Sequence, residues 1–208
     1  MTLRTPPFQA TDEFPRLGRV EQLVLRGDGL TTTSLEILTG EQISVEVAGH
    51  WMIAVPDPAD AVSRGSSLYE DDSPDPGEYI ALAHHNLGVQ PGERLLVRDV
   101  LLIGPGRTVH GAAEVVARLD ELPAPVATAL ATTEQPIGRL LRDHGVHVSR
   151  ELQSWGLIPA GLRAERLEPG LTSGSRVSGR TYIMRLVSSR TPLAVLVERF
   201  APHVFATP

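Results

Sequence analysis

The segment PLAVLVERF, residues 192–200, predicts a β-strand that is apolar on both faces but carries a glutamate, Glu198, near its end. An ionised glutamate that is buried without a partner destabilises a protein strongly. Glu198 must therefore pair with a cation, stay protonated or face a cavity. The rest of the sequence has to supply that partner or that cavity.

Antiparallel hairpins are the main strand signal in the chain. RLLVRDVLLI (94–103) is predicted to pair with TVHGAAEVVARL (108–119) through the turn GPGR, and RTYIMRLVSS (180–189) with the strand at 192–200. A further strand is predicted at 42–55, and 146–158 is a candidate strand. Antiparallel hairpins with helices between them, instead of strictly alternating strands and helices, indicate an α+β fold and exclude a doubly wound parallel sheet.

Helical spacing and end signals predict four helices. They lie at 14–26, 30–38, 122–133 and 136–145. The first places four apolar residues at helical spacing: Leu17, Val20, Leu23 and Val24. The second has a threonine available as its cap, Gly40 ends it, and Gly145 ends the last helix.

The segment from 56 to 91 is rich in Pro, Asp, Ser and Gly, and it predicts a loop-rich excursion with a short helix around 78–86. Loops of this length inside a domain tend to be functional or mobile. With 208 residues, we expect a single domain over 1–208 that contains this excursion.

Composition excludes several classes of function. The net charge of −6 argues against a nucleic-acid partner. All 19 basic residues are arginine, so Schiff-base chemistry and Walker-type phosphate binding are excluded, and the absence of cysteine excludes thiolate catalysis and disulfides. No run approaches the ~18–20 apolar residues of a membrane span, and residues 1–19 lack a signal-peptide core. We therefore expect a cytoplasmic protein without a membrane partner.

Two opposite charges stand alone on apolar strand faces. Alternation places Arg98 between Leu96 and Val100, and Glu198 between Leu196 and Phe200. A buried site that holds a carboxylate with Arg98 and moves a proton with Glu198 fits this pattern. A purely structural salt bridge between the two, or a position at a strand edge in water, also fits it, so the pattern leaves both possibilities open.

The histidines do not indicate a metal site. His84 and His85 are adjacent and diverge, while His144 and His147 flank a glycine at a helix end. His144 is better placed to cap that helix. No glycine-rich nucleotide loop follows a strand and no GxSxG elbow is present. We therefore expect a site without metal or organic cofactor.

Four segments together resemble the chorismate pyruvate-lyase family, in the branch found in actinobacteria and cyanobacteria. They are DGLTTTSLEILTGEQISVEV, LPAPVATALATTEQPIGRLL, VSRELQSW and SGRTYIMRLVSSRTPLAVLVERF. The resemblance covers about 28–55 and 92–205. It depends on the order and spacing of these segments, because none of them is highly specific alone.

The resemblance implies a six-stranded antiparallel sheet and a buried cavity closed by two helical flaps. It implies a cofactor-free conversion of a small anionic substrate, chorismate, to 4-hydroxybenzoate and pyruvate, in quinone or secondary metabolism. Arg98 falls on the position that binds the ring carboxylate, and Glu198 on the glutamate that acts on the enolpyruvyl side or handles the proton. Backbone groups near Leu30 and Ile137, with Gly138 in the same helix start, fall on the flap positions that contact the carboxylate.

Departures from the family leave two alternatives open. The excursion is longer than expected, and the segment 107–114 lacks the usual Gly-Arg-Thr run, although His110 and Glu114 are placed to border the pocket. One alternative is a diverged enzyme that acts on another substrate, such as a polyketide intermediate. The other is a non-catalytic binder of small aromatic acids, like the effector domains of bacterial regulators; residues 1–27 are too short for their DNA-binding module. The sequence does not indicate an oligomeric state.

Overall fold

The protein is described by a computed structural model that covers residues 17–27, 30–57, 76–133 and 135–206. The helices are α1 (Arg19–Arg26), α2 (Thr31–Thr39), α3 (Pro76–Leu87), α4 (Ala124–Thr132), α5 (Ile137–Asp143) and α6 (Ala164–Leu167). The strands are β1 (Ser44–Ala54), β2 (Arg94–Ile103), β3 (Val109–Arg118), β4 (Val148–Pro159), β5 (Arg176–Leu186) and β6 (Pro192–Phe200). None of the described helices combines the length and the apolarity that crossing a bilayer requires.

All six strands form one antiparallel sheet in the order β1-β2-β3-β6-β5-β4. The strand β6, whose sequence is apolar on both faces, lies inside the sheet and is buried along nearly its whole length. The strands β1 and β4, which carry more polar residues, form the two edges. The predicted α+β class and both predicted hairpins are confirmed.

The two faces of the sheet carry different helices, and alternation along β6 shows which residues meet them. Leu196 and Phe200 pack on the near face, where α1, α2, α4 and α5 lie. Val195 packs on the far face against α3, and Ala112 of β3 packs there against α6. Because both faces are covered, the central strands are apolar on both sides.

Most predicted elements are present, with differences at their ends. The helix α1 begins at Arg19, later than the predicted residue 14, and residues 14–16 lie outside the described part of the chain. Val20 and Leu23 are 53% and 74% exposed, while Leu25, which the spacing did not single out, is fully buried. In an eight-residue helix, contact with the sheet decides which apolar stripe is covered, and the periodicity alone does not. The short α6 was not predicted, and β5 begins at Arg176, four residues before the strand predicted from residue 180.

The predicted excursion contains a helix, as expected. It is α3, which packs Tyr79, Ala83 and Leu87 on the far face of the sheet. The segment 58–75 lies outside the described residues. That the chain is a single domain stays a prediction.

Helix ends follow the glycine signals but not the predicted threonine cap. Gly40 and Gly145 have φ of 70° and 67°, the left-handed region that ends helices, at the ends of α2 and α5. The N-cap residue of α2 is Leu30, which has no capping side chain. The hydroxyl of Thr31 is directed to Glu198 instead.

Candidate active site

A pocket of about 660 Å³ lies on the near face of the sheet, under the first turns of α2 and α5. The five residues predicted to bind substrate or act on it all line this pocket: Arg98, Glu198, Leu30, Ile137 and Gly138. Its volume is within the range of small-molecule sites. The structure therefore brings the predicted residues together, although it does not test their roles.

Strand register explains how Arg98 and Glu198 share this pocket without touching. Arg98 of β2 is opposite Val115 of β3, and Val115 is opposite Leu196 of β6. Glu198 therefore lies two strands away from Arg98 and two residues beyond Leu196 along β6. Two strand spacings amount to roughly 10 Å. The two charges therefore flank one cavity, and they do not form the salt bridge with each other that the sequence pattern left open.

The cation that pairs with Glu198 is Arg180. The β5–β6 register places the two residues opposite each other, and Arg180 Nε lies 2.7 Å from Glu198 Oε2. Glu198 Oε1 accepts hydrogen bonds from Thr31 Oγ1 at 2.6 Å and from the Tyr182 hydroxyl at 3.0 Å. Glu198 is only 4% exposed, so these three donors replace the water that the carboxylate has lost.

Arg180 connects this carboxylate to the helices above it. Its Nη1 donates to the carbonyls of Val24 and Gly27, at 2.9 and 2.6 Å, and its Nη2 to Thr31 Oγ1 at 3.0 Å. Burial disfavours the charge, but the charge of Glu198 and the hydrogen bond to it outweigh burial and raise the pKa of Arg180. Burial, reinforced by the charge of Glu198, also raises the pKa of Tyr182, so its hydroxyl remains a donor.

Arg98 is buried beneath the connection between α4 and α5. Its Nη1 donates to the carbonyl of Gln135 at 2.9 Å and its Nη2 to the carbonyl of Thr133. His50 faces Arg98 across the β1–β2 pair, and burial together with the Arg98 charge lowers the pKa of His50. A second cation is thereby avoided beside Arg98, whose guanidinium stays charged at any working pH.

The mouth of the pocket lies where α2 and α5 begin. A Cβ placed on Gly138 would lie 3.6 Å from Leu30 Cδ2 and 3.8 Å from Arg150 Nη2. Ile137, next to it, is buried and Leu30 is 36% exposed. The two helix starts therefore meet across the pocket, in the arrangement expected of two flaps.

Arginine is the most frequent charged residue in the wall of the pocket. Among the described residues that line it, four are arginines and two are glutamates: Arg98, Arg139, Arg142, Arg150, Glu36 and Glu198. The Arg150 guanidinium lies 5.8 Å from the centre of the Tyr182 ring. This excess of positive charge suits an anionic ligand, in a protein whose net charge is negative.

Sequence reasoning missed Arg180, Tyr182, Thr31 and Arg150. A signal for the first two was present, because Arg180 and Tyr182 share one face of the strand that pairs with β6. The predicted hairpin of 180–189 with 192–200 has its turn near residue 190. A turn centred there would pair position 180 with Phe200, whereas the observed register pairs it with Glu198. Thr31 and Arg150 reach the site through tertiary packing, for which no local signal exists.

Two expected border residues lie elsewhere. Glu114 is opposite Asp99 in the β2–β3 pair, and both point to the far face. His110 lies at the start of β3, where its Nε2 is 2.9 Å from Glu41 Oε2 and its Nδ1 is 3.2 Å from His203. Neither residue lines the pocket, because side chains of β3 alternate and only Ala113 and Val115 face it.

The remaining histidine expectations concern capping and metal binding. His144 Nδ1 lies 2.9 Å from the carbonyl of Leu140 in the last turn of α5, as a cap would. Within the described ranges, no group of three or more His, Asp or Glu side chains is arranged to hold a metal ion. A reaction without metal or cofactor stays a prediction.

The fold and the pocket define the class of this protein: it has a chorismate lyase-like α+β fold with a buried, arginine-lined pocket. A GntR-family transcriptional regulator from Bacillus cereus has this fold, with a TM-score of 0.52 at 12% identity, over 80% of this chain and 96% of that one. The effector domain of PhnF from Mycobacterium smegmatis has a TM-score of 0.54, also at 12% identity, over 85% and 91%. At such identities the likeness concerns the fold alone.

Similarity in sequence points to particular proteins within this class. The chain is 25% identical over 204 residues to the chorismate pyruvate-lyases of Mycobacterium tuberculosis and Mycobacterium bovis, covering 97% of this chain and 89% of each relative. The resemblance to chorismate pyruvate-lyases that the sequence predicted is thus confirmed. No family model matches the chain.

Proposed function

We propose that this protein is a chorismate pyruvate-lyase, which converts chorismate to 4-hydroxybenzoate and pyruvate without metal or organic cofactor. The observation that carries the proposal is the pocket itself. A buried glutamate and four arginines line one cavity in a chain that is similar, over nearly its whole length, to chorismate pyruvate-lyases. Chorismate carries two carboxylates, and the excess of arginine matches that charge.

Arg98 binds the ring carboxylate in this proposal. Its two hydrogen bonds to the carbonyls of Thr133 and Gln135 hold it at the α4–α5 connection, so an incoming carboxylate competes with those carbonyls for the guanidinium. Arg150, on the other side of the pocket, supplies a cation for the enolpyruvyl carboxylate. Backbone groups near Leu30 and Ile137 complete the enclosure at the mouth.

Glu198 handles the proton. The bond between the ring carbon and the ether oxygen breaks, and the neighbouring ring carbon, which carries the hydroxyl group, loses its proton as the ring becomes aromatic. The enolpyruvyl methylene gains a proton to become the methyl group of pyruvate. A carboxylate held by Arg180, Tyr182 and Thr31 is fixed in position for this transfer. Aromatisation makes the reaction strongly downhill, so positioning and exclusion of water are the main tasks of the protein.

A second candidate is a binder of small aromatic acids without turnover, or an enzyme that acts on another substrate. The observation that favours it is the saturation of Glu198, whose oxygens already accept from three side chains. In that case, the glutamate would only hold the structure together.

Initial rates of pyruvate release from chorismate test the proposal. Arg98→Gln is expected to lower kcat/KM about ten- to a hundredfold, the effect of losing a charge-assisted contact. Glu198→Gln is expected to lower kcat by about two orders of magnitude or more. Arg94→Gln, an exposed position at the start of the same strand as Arg98, serves as the matched control and should keep the wild-type rate.

The outcomes separate the candidates. Turnover by the wild-type protein that both site variants lose, while their circular dichroism stays native, supports the lyase. Binding of 4-hydroxybenzoate without any turnover of chorismate supports the binder and contradicts the lyase. If the protein neither binds 4-hydroxybenzoate nor turns over chorismate, it acts on another substrate.

A further inference from the structure

A second pocket, here called the far-face pocket, lies on the opposite side of the sheet from the candidate active site. It has a volume of about 640 Å³ and is enclosed by α3, the end of β4 and the odd-numbered residues of β6. Its apolar wall includes Leu82, Leu162 and Val197. None of its lining residues belongs to the pocket that holds Glu198.

A row of four residues, three of them polar, crosses the sheet at the floor of this pocket. Register aligns Ser154, Thr181, Val197 and Glu114 on four neighbouring strands. Ser154 and Thr181 are 9% and 3% exposed, and neither hydroxyl oxygen has a hydrogen-bond partner in the described part of the chain. Buried hydroxyls without partners are uncommon in folded proteins, and two side by side in the wall of a pocket point to a ligand.

The arginine and amide side chains that line the far-face pocket already donate hydrogen bonds to protein oxygens. Arg199 donates Nη1 to Glu114 Oε1 at 2.9 Å and Nε to the carbonyl of Pro159 at 2.8 Å. The Asn86 amide nitrogen donates to the Leu82 carbonyl at 2.8 Å, and that of Gln153 to the Glu151 side chain at 3.0 Å. From Asn86 and Gln153 a ligand therefore meets mainly amide oxygens. The unpartnered hydroxyls of Ser154 and Thr181 can accept as well as donate, so the charge of the lining decides which head group is preferred.

The charged residues that line the far-face pocket favour a cationic ligand. The charged side chains that face the far-face pocket from the described residues are Glu78 on α3, Glu114 on β3 and Arg199 on β6, and the titratable His85 lies on α3. Arg199 already pairs with Glu114, so Glu78 is left as excess negative charge at the rim. This is the opposite of the arginine-lined pocket, and it disfavours chorismate or its acidic product.

We propose that the far-face pocket binds a small amine: a cationic head group donates to the carboxylate, amide and hydroxyl oxygens of the pocket, and an apolar body packs on Leu82, Leu162 and Val197. The proposal does not depend on the chemistry at Glu198. It adds a second, independent ligand site to the protein.

Calorimetric titration of the whole protein with 2-phenylethylamine, 3-phenylpropionate and 2-phenylethanol tests this charge preference. These probes share an apolar body and differ in the head group. We expect the amine to bind about tenfold or more tightly than the acid, the difference that one charge-assisted hydrogen bond makes, with the alcohol between them. Equal binding of the acid in the far-face pocket, recognised by its loss in the Ala81→Trp variant described below, or no binding of the amine at millimolar concentration, overturns the proposal.

Variants locate the binding. Ala81→Trp fills the pocket from an exposed position on α3 and should abolish amine binding, whereas His84→Trp, exposed on the same helix but outside the pocket, should not. Thr181→Val removes one unpartnered hydroxyl without changing side-chain shape and should weaken binding severalfold in a folded protein. Displacement of the amine by 4-hydroxybenzoate, or full binding by Ala81→Trp, would place the amine elsewhere and overturn the proposal.

Discussion

Glu198 has both a partner and a cavity. Its negative charge is balanced by Arg180 on the neighbouring strand, while the same side chain lines the pocket that Arg98 shares. The pattern PLAVLVERF shows that something must compensate a buried carboxylate, but it does not show which arginine does so. The compensating residue is Arg180 on β5. The turn that joins β5 to β6 determines the strand register, and the register places Arg180 opposite Glu198.

The Arg180–Glu198 pair leads to a prediction about stability. Glu198→Gln or Arg180→Met alone leaves one buried charge without its partner, which should lower the free energy of unfolding by about 3–5 kcal/mol. The double variant removes both charges and should lose much less than the sum of the two single losses. Urea unfolding of the four proteins measures this coupling. Strictly additive losses would show that the two side chains do not stabilise each other.

At the scale of elements, α2 and α5 form the two sides of the pocket mouth. Leu30 and Gly138, at the starts of these helices, are in near contact. Both helices and both ending glycines were predictable from local signals. The contact between the helices was not, because it depends on how each helix packs on the sheet; the resemblance to a known family supplied it.

Alanine at the two glycines of α5 should have opposite effects. Gly138 lies in the first turn with room for a methyl group, so Gly138→Ala should raise the free energy of unfolding by about 0.5 kcal/mol. Gly145 has φ of 67°, so Gly145→Ala should lower it by about 1 kcal/mol. Denaturant unfolding measures both changes.

The same pair of variants tests the mouth. The added methyl group at position 138 narrows the gap to Leu30, so Gly138→Ala should slow product release more than it slows the first turnover. Gly145→Ala, at the far end of the helix, should leave the ratio of first-turnover to steady-state rate unchanged. An unchanged ratio in Gly138→Ala would show that this contact does not control release.

Strand positions illustrate what pattern reasoning can and cannot provide. Alternation placed Arg98 and Glu198 on one face of the sheet, and the structure agrees. The same alternation, applied to β3, would have placed Glu114 on the other face together with Asp99, but the two strands had to be aligned first. Register is a property of the assembled sheet, and short turns specify it only to within a residue or two.

For the whole molecule, the sheet separates two electrostatic environments. The near face holds the arginine-lined pocket, whereas the far face buries two carboxylates, Asp99 and Glu114, opposite each other. Arg163 and Arg199 pair with them at 3.1 and 2.9 Å. Burial nevertheless raises the pKa of both carboxyl groups.

These raised pKa values predict how stability depends on pH. A carboxyl group whose pKa is higher in the folded than in the unfolded protein stabilises the fold at acid pH, and this contribution is lost as pH rises through the folded pKa. Through Asp99 and Glu114, the free energy of unfolding should therefore fall as pH rises above their unfolded pKa values, which are near 4. Glu114→Gln should make this fall shallower at pH values above the unfolded pKa. Glu165 is exposed, so Glu165→Gln is the control and should show the wild-type dependence of the free energy of unfolding on pH. The same pH dependence in Glu114→Gln as in the wild type would contradict the prediction.

The most direct test of the proposed activity is the product balance from chorismate. The purified protein is incubated with chorismate in the presence of a chelator until the reaction ends. Chromatography then measures 4-hydroxybenzoate, and a coupled assay measures pyruvate in the same sample. A lyase gives equal amounts of the two products, and Glu198→Gln forms them about a hundredfold or more slowly. Products at the uncatalysed background, or an aromatic product without equimolar pyruvate, would contradict the proposed function.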